Sequence, residues 1–482
     1  MPIRAARSVA LASVAVLGAV VLSACQPTSD LTRPTTPVVV TGARLGPLLG
    51  TPVGRVVAFR WDGDARRWRQ VPVQVDQRTV VPFGLHPRKG SEPATTGIVY
   101  GGGAIGPTAL QYADPDTWVG ADLDPNLDRD DEVAMMAADA GGWAPADSGR
   151  PAGTVAQAGV AIEVRDCAAT RGGWLYLWRS AGGLDPSAGR DEVDYDFVLT
   201  SGPYKTTYDR ADGPNPETSK VRTAAYEIEF TDRWKETSWR VLAPGATGVD
   251  LIDAQKNQFA TSTCGRSNQT FSDAEGAFVA NIDGPVRAIR SYVGANSGPL
   301  TQRTHVMYRD RVDVITDLRV HNIPGIMDYI DYSSAAVGMT YRSSTLPGGV
   351  TIDGIDDVVP TAPARWEALD GPQGRIYTRV VATTDQPDLA TATRHFYEDQ
   401  QEPTEEQCFG EDSAWLGASG LHVPARIENT DPRTSPFVTF RGVRTTQYLP
   451  PASDPSRIPA YADDWARDLE RPLELTTSRI ER

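Results

Sequence analysis

The stretch Val312-Asp-Val-Ile-Thr-Asp-Leu-Arg-Val-His321 constrains the fold of this chain more than any other. Val312, Val314, Thr316, Leu318 and Val320 fill one set of alternate positions. Asp313, Ile315, Asp317, Arg319 and His321 fill the other. A strand sends alternate side chains to opposite faces, whereas a helix would spread both sets around its axis. The spacing predicts a strand with one packed apolar face. Its other face carries two carboxylates, a guanidinium and an imidazole. Strand-like patterns recur at Ala225–Phe230, Gly276–Ile282, Val286–Val293, Thr304–Arg309, Arg375–Ala382 and Phe437–Gly442, with Gly, Pro, Asn and Asp in the gaps. No strand–helix–strand rhythm and no internal repeat accompanies them. The expectation is a mainly β protein built from antiparallel sheets.

Upstream, Arg55–Trp61 and Arg67–Val75 read as a hairpin, and Ala158–Arg165 with Gly173–Trp178 as a second. Residues 84–120 are rich in Gly and Pro and read as a long loop. The Gly/Ala/Pro stretch at 141–153 marks a boundary. Near the end, Tyr461, Trp465 and Leu469 recur every four residues and predict a helix over 458–473. The expected order is an N-terminal β-sandwich-like domain at 38–150, a large antiparallel β-sandwich region at 151–450, and a short C-terminal helix within 451–482. A chain of 482 residues is long enough for two or three such cores.

The first residues follow different rules. Arg4 and Arg7 precede an apolar run from Val9 to Val21, which ends in Leu22-Ser23-Ala24-Cys25. The run is shorter than the roughly 20 residues a membrane span needs. Leu-Ser-Ala-Cys matches the lipobox, and the segment resembles bacterial lipoprotein signal peptides. The resemblance implies acylation of the Cys25 thiol, cleavage of residues 1–24, and a chain held on the outer side of the cell membrane by lipid. Residues 25–37, polar and proline-bearing, then read as an unpacked tether.

A formal net charge of −15, or −17 once Arg4 and Arg7 leave with the leader, argues against nucleic acid, which needs a basic footprint. With Cys25 acylated, Cys167, Cys264 and Cys408 remain. One disulfide and one thiol account for three, with Cys264 and Cys408 in turn-like contexts suited to a staple and Cys167 at a strand end as a core thiol. The spacing of Asp122, Asp124, Asn126, Asp128 and Asp130 resembles calcium-binding loops, where oxygens two residues apart converge on one ion. Arg129 stands where such loops place glycine. A structural calcium site and a solvated acidic turn are the two readings.

The chemistry-bearing residues gather around the first strand described. If Thr304–Arg309 and Val312–His321 form a hairpin, one face could collect His305, Tyr308, Asp317, Arg319 and His321, with Arg287 and Arg290 from the strand before. Such a set suits an anionic sugar. Arginine neutralises a carboxylate, which makes the neighbouring carbon proton easier to remove, and His or Tyr serves as base and acid. This is the logic of a lyase. A hydrolase needs two carboxylates flanking one bond. Asp313 and Asp317 lie about 13 Å apart along a strand, too far for that. The structural alternative is a surface ladder of ion pairs, each worth a few tenths of a kcal/mol.

The order of segments, with Asp283-Gly-Pro-Val-Arg287 inside the β-rich region, is similar to secreted bacterial proteins of the large β-sandwich, mutarotase-like type, over about residues 155–448. The resemblance implies glycan binding or processing and assigns no catalytic residue. Two functions follow as expectations. One is a membrane-anchored lyase or hydrolase of acidic polysaccharide. The other is a non-enzymatic surface lipoprotein that binds a glycan or a protein partner.

Overall fold

In a computed structural model the described residues are 29–82, 108–167, 170–200, 217–231, 236–259, 266–267, 276–294, 302–320, 325–401, 415–426 and 438–481. They build layered antiparallel sheets. The largest has nine strands, in the order Gly276–Ile282, Ala288–Gly294, Gln302–Met307, Arg311–Val320, Val438–Leu449, Gly374–Thr384, Glu367–Gly371, Thr340–Ser343 and Leu346–Thr351. A five-stranded sheet faces it, ordered Arg266–Ser267, Ile252–Phe259, Ile326–Tyr332, Trp415–Val423 and Arg394–Gln400. A four-stranded sheet (Asp194–Asp196, Ser219–Arg222, Tyr226–Phe230, Ser238–Val241) covers the rest of the same inner face. Ile228, Trp239, Met307, Val312, Val314, Ile330 and Ile376 share one core between them.

The alternation at the start of the sequence decides which way this sheet faces. Val312, Val314, Thr316 and Leu318 are buried, while Asp313, Ile315 and Asp317 are half-buried on the outer face. That outer face is also covered. A three-stranded sheet (Pro37–Thr41, Glu132–Met136, Gln74–Asp76) packs on it through Ala134, Met136, Ile289 and Val306. The other face of this small sheet, through Val38, Val40, Val133 and Met135, meets a five-stranded sheet ordered Glu474–Ile480, Thr154–Asp166, Arg171–Ser180, Val56–Asp62 and Arg67–Val71. Burial on both sides explains the unbroken apolar run Val133-Ala-Met-Met136.

Both expected hairpins form, Ala58 pairing with Val71 and Val160 with Leu177. The helix runs Ile458–Glu470 and buries Ile458, Ala462 and Ala466. The boundary expected near 150 does not follow the sheets. Thr154–Asp166 and Arg171–Ser180 belong with the N-terminal strands, because their apolar positions fill that core. The chain end returns there too, Glu474–Ile480 pairing along Thr154–Asp166.

Asp283-Gly-Pro-Val-Arg287 proves to be the joint between the small sheet and the nine-stranded one. Gln74 accepts hydrogen bonds from the amides of Val286 and Arg287, and a Cβ on Gly284 would fall 2.3 Å from the Gln74 side chain. The Arg287 guanidinium lies 2.7 Å from Asp76 and 2.6 Å from Glu132, all three largely out of water.

Two further expectations change. The tether is packed by Arg33, whose guanidinium sits 2.8 Å from Asp166 and donates to the carbonyls of Asp468 and Arg471. The charge is held because each donor finds an oxygen. Cys167 is exposed at the strand end and is no core thiol. Cys25, Cys264 and Cys408 lie outside the described residues. No helix among the described residues is long and apolar enough to cross a membrane.

Candidate functional site: the cleft between the two large sheets

The residues proposed for one catalytic face divide between two faces. Cross-strand register places Arg290 opposite His305, His305 opposite Val314, Val314 opposite Arg444, and Arg444 opposite Val380. That row is the buried inner face. Asp317 stands opposite Gln302 and Arg441 on the other side. The reason is parity: His305 pairs with an even-numbered position of the Arg311–Val320 strand and so shares the apolar face. The side chain of Arg319 and the whole of His321 lie outside the described residues.

Each of these groups has a structural partner. Arg290 meets Glu217 at 2.5 Å and Tyr195 at 3.2 Å, under the ring of Phe230. Arg287 is taken up at the joint, with the Tyr308 hydroxyl 3.3 Å from it. Neither arginine is available to a substrate carboxylate. His305 lies 3.3 Å from Glu236 and edge-on to Phe230. Burial pushes its pKa below the ordinary histidine value, against the pull of Glu236. Asp317 faces Arg441 across 3.6 Å at the surface, a pair of the ladder type.

The acidic loop also turns inward on itself. Asp122, Asp124 and Asp128 accept from the amides two residues on, and Asp131 accepts from the amides of Asp128 and Arg78. Burial, with Asp128 and Asp122 nearby, raises Asp131 to about 6. Asn126 donates its side-chain amide to Asp124. Among the described residues no three His, Cys, Asp or Glu side chains are grouped to hold a metal ion.

A different set converges where the two large sheets part. Tyr341 and Glu367 project inward from the nine-stranded sheet, and His395 projects to meet them from the facing sheet. The Tyr341 hydroxyl lies 2.8 Å from His395 Nε2 and 3.2 Å from Glu367 Oε2. Its single proton can serve only one of them at a time. His395 Nδ1 stands 3.8 Å from Glu367 Oε1, a gap that a water or a substrate hydroxyl can bridge. Burial, reinforced by Glu367, holds the Tyr341 hydroxyl well above its ordinary pKa and therefore protonated. Glu367, His395 and Arg394 line a cavity of about 230 Å³, walled by Val380, Ala382 and Leu421.

Deeper between the sheets, past Val380 and Leu421, the space narrows to about 20 Å³, room for one or two waters. Its polar floor is Asp328, which lies 2.8 Å from Arg444 and 3.1 Å from Arg303. Burial works to raise the Asp328 pKa, but Arg444 and Arg303 outweigh it and hold the carboxyl below its ordinary range. The floor is a fixed array of paired charges. The mouth holds the titratable groups that can exchange a proton.

None of Tyr341, Glu367 and His395 follows from the sequence patterns above. His395 is one of five histidines in the chain, and it alternates with Tyr397 in the Arg394–Gln400 strand. That strand is short, so its period is a weak signal. Its partner Glu367 comes from another sheet.

The fold defines a mainly β protein of stacked antiparallel sheets with a polar cleft between the nine-stranded sheet and the five-stranded sheet that faces it. No family model matches the chain, and no curated protein matches it. Among solved structures it is similar to a protein of Escherichia coli K12 provisionally described as an aldose 1-epimerase, with 10% identity and a TM-score of 0.28, over 53% of this chain and 100% of that one. This distant neighbour is of the mutarotase-like kind. At that score it assigns neither family nor residue roles.

Proposed function

We propose that this is a lipid-anchored extracytoplasmic protein that acts on a sugar in the cleft between its two large sheets. The observation that carries the reading is the meeting of Tyr341, Glu367 and His395 across the sandwich at the wall of an open cavity. Sequence alternation alone would fill an inter-sheet space with aliphatic side chains. A histidine, a carboxylate and a protonated phenol in mutual reach form an acid–base set.

The residue types favour elimination over hydrolysis. Glu367 is the sole carboxylate among the described residues lining this cavity, so the pair of carboxylates a glycosidase needs is not in place. Arg394, on the rim, would hold a uronate carboxylate. The His395 imidazole would take the proton from the adjacent carbon. The bond from the next carbon to the glycosidic oxygen would then break, its electron pair leaving with that oxygen. The imidazolium would return the proton to the leaving oxygen, and a carbon–carbon double bond would remain in the product. Tyr341 and Glu367 act through His395 by fixing its orientation and the position of its proton.

A second reading has its own support. The side chains of His395 and Glu367 are only 3% and 9% exposed, which suits a polar lock between sheets in a protein that binds without catalysis. Incubation with polygalacturonate and alginate, followed by ultraviolet absorbance of unsaturated ends, separates the two. Wild type is expected to give a rising absorbance, and His395→Ala to lose at least a hundredfold in rate at an unchanged far-ultraviolet spectrum. A flat trace for wild type would end the lyase reading. The address is tested separately: Cys25→Ser is expected to move the protein from the membrane fraction to the soluble one, and equal sedimentation of both would refute lipid anchoring through that residue.

A further inference from the structure

The outer face of the nine-stranded sheet is covered at one end by the three-stranded sheet and at the other by the C-terminal helix. Between these covers runs a groove of about 540 Å³, within the range of small-ligand sites. Its floor is the middle of the sheet, from Arg311, Gln447, Arg375 and Tyr377. One wall is the helix, with Tyr461 and Trp465 one turn apart, and the other is the chain at 32–37.

The groove is on the far side of the sheet from the cleft. Along the Gly374–Thr384 strand, Val380 and Ala382 face the cleft, whereas Arg375 and Tyr377 face the helix. The polar groups here are unequally satisfied. Arg311 is bound by Asp313 at 2.9 Å, and Asp464 by Arg467 at 2.6 Å. Arg375 Nε is buried without a hydrogen-bond partner, whereas the Tyr377 hydroxyl has the Arg375 guanidinium beside it, and Tyr377 as a whole is 2% exposed. Orphan polar groups of this kind cost stability unless a ligand or water completes them. Above them, Tyr461 is 40% exposed, with the Arg457 guanidinium over its ring at 4.7 Å, and Trp465 packs on Tyr377 at 5.6 Å between ring centres.

We infer that this groove binds a hydroxyl-rich saccharide chain, whose rings stack on Tyr461 and Trp465 while their hydroxyls meet the Arg375 guanidinium. The topology argues against an extended peptide. Arg311–Val320, Val438–Leu449, Gly374–Thr384 and Glu367–Gly371 are consecutive in the sheet, so the floor offers no free backbone edge to which a strand could add. The ligand must bring its own donors and acceptors, and it must present flat apolar patches to two aromatic rings. A sugar chain does both. This site is independent of the cleft reading and stands whether or not the cleft is catalytic.

Calorimetric titration of the full chain in detergent with hexasaccharides of glucose and N-acetylglucosamine, neither of which carries the carboxylate the cleft reading requires, tests the assignment. At least one is expected to bind wild type. Tyr461→Ala, at an exposed position that leaves the fold intact, is expected to weaken that binding tenfold or more, and Arg375→Gln to do the same. His395→Ala is expected to leave it unchanged. Binding lost in His395→Ala but kept in Tyr461→Ala would place the saccharide in the cleft and overturn the groove. Equal binding by wild type, Tyr461→Ala and Arg375→Gln overturns it as well, as does the absence of binding by both hexasaccharides. Hydrogen exchange showing Tyr461 and Trp465 covered by the chain before residue 29 would give the groove to the protein's own N-terminus, with the same consequence.

Discussion

Arg287 shows how one residue can look like a substrate ligand and be a joint. A guanidinium next to a Tyr and a His on neighbouring strands invites a functional reading. The structure surrounds it with Asp76 and Glu132 from the layer beneath, and these hold its pKa well above the ordinary arginine value despite burial. Replacing it strands the Asp76 carboxylate in a dry interface, whereas Glu132 keeps Arg78 at 2.9 Å and the Tyr112 hydroxyl. Arg287→Leu is therefore expected to cost about 3–5 kcal/mol, the usual loss when one partner of a buried pair is removed. Urea unfolding monitored by tryptophan fluorescence would read the shift. Adding Asp76→Asn should recover part of it, because the stranded charge is then gone. A loss below about 1 kcal/mol would show the joint to be held by apolar packing alone.

At the scale of elements, the last strand is the one that changes the picture. Glu474–Ile480 pairs with Thr154–Asp166, so the first sandwich closes only when the far end of the chain arrives. Pairing partners more than 300 residues apart make this sheet costly to assemble, and without the strand its neighbour becomes an open edge. Truncation after Arg471 is expected to loosen the N-terminal sandwich while leaving the nine-stranded sheet folded. Limited proteolysis should then cut within residues 37–180 and spare the rest. The C-terminal helix is held by Trp366 and Tyr377 beneath it, and Trp366 donates to Asp463 at 2.7 Å. The helix was visible in the sequence through Tyr461, Trp465 and Leu469 because a period near four is a local property, although the face that packs is Ile458, Ala462 and Ala466 and Tyr461 is 40% exposed. The strand after it was not visible, because Leu475, Thr477 and Ser478 carry little apolar contrast.

Across the whole molecule, titration separates two populations of carboxylates. Burial raises Asp310, Asp331, Asp131 and Asp139 to about 6 each. Their folded-state pKa exceeds the unfolded one, so the folded form binds protons more tightly, and stability rises as pH falls from 7 toward 5. Asp328 and Glu132 are held below their ordinary values by arginines that outweigh burial. Their contribution is present above the unfolded pKa and lost as pH falls below about 4. The melting temperature is expected to peak near pH 5 and to fall steeply below pH 4. Asp310→Asn should flatten the limb between pH 7 and 5 by removing one of the ionisations, which differential scanning calorimetry across that range would show. A melting temperature that declines steadily from pH 7 to 5 would contradict this assignment.

The sequence by itself determined that this chain is mainly β, where its best strands and its last helix lie, and which face of the Arg311–Val320 strand goes inward. These are properties of neighbours a few residues apart, and period two or period 3.6 records them directly. The tertiary structure alone decided what the other faces meet. It put His305 inside with Arg290 and Glu236, turned Asp283-Gly-Pro-Val-Arg287 into an interlayer joint, and brought Tyr341, Glu367 and His395 together from three strands in two sheets. Each of those outcomes depends on strand register and sheet order. Both are set by contacts between distant segments, which no local pattern encodes.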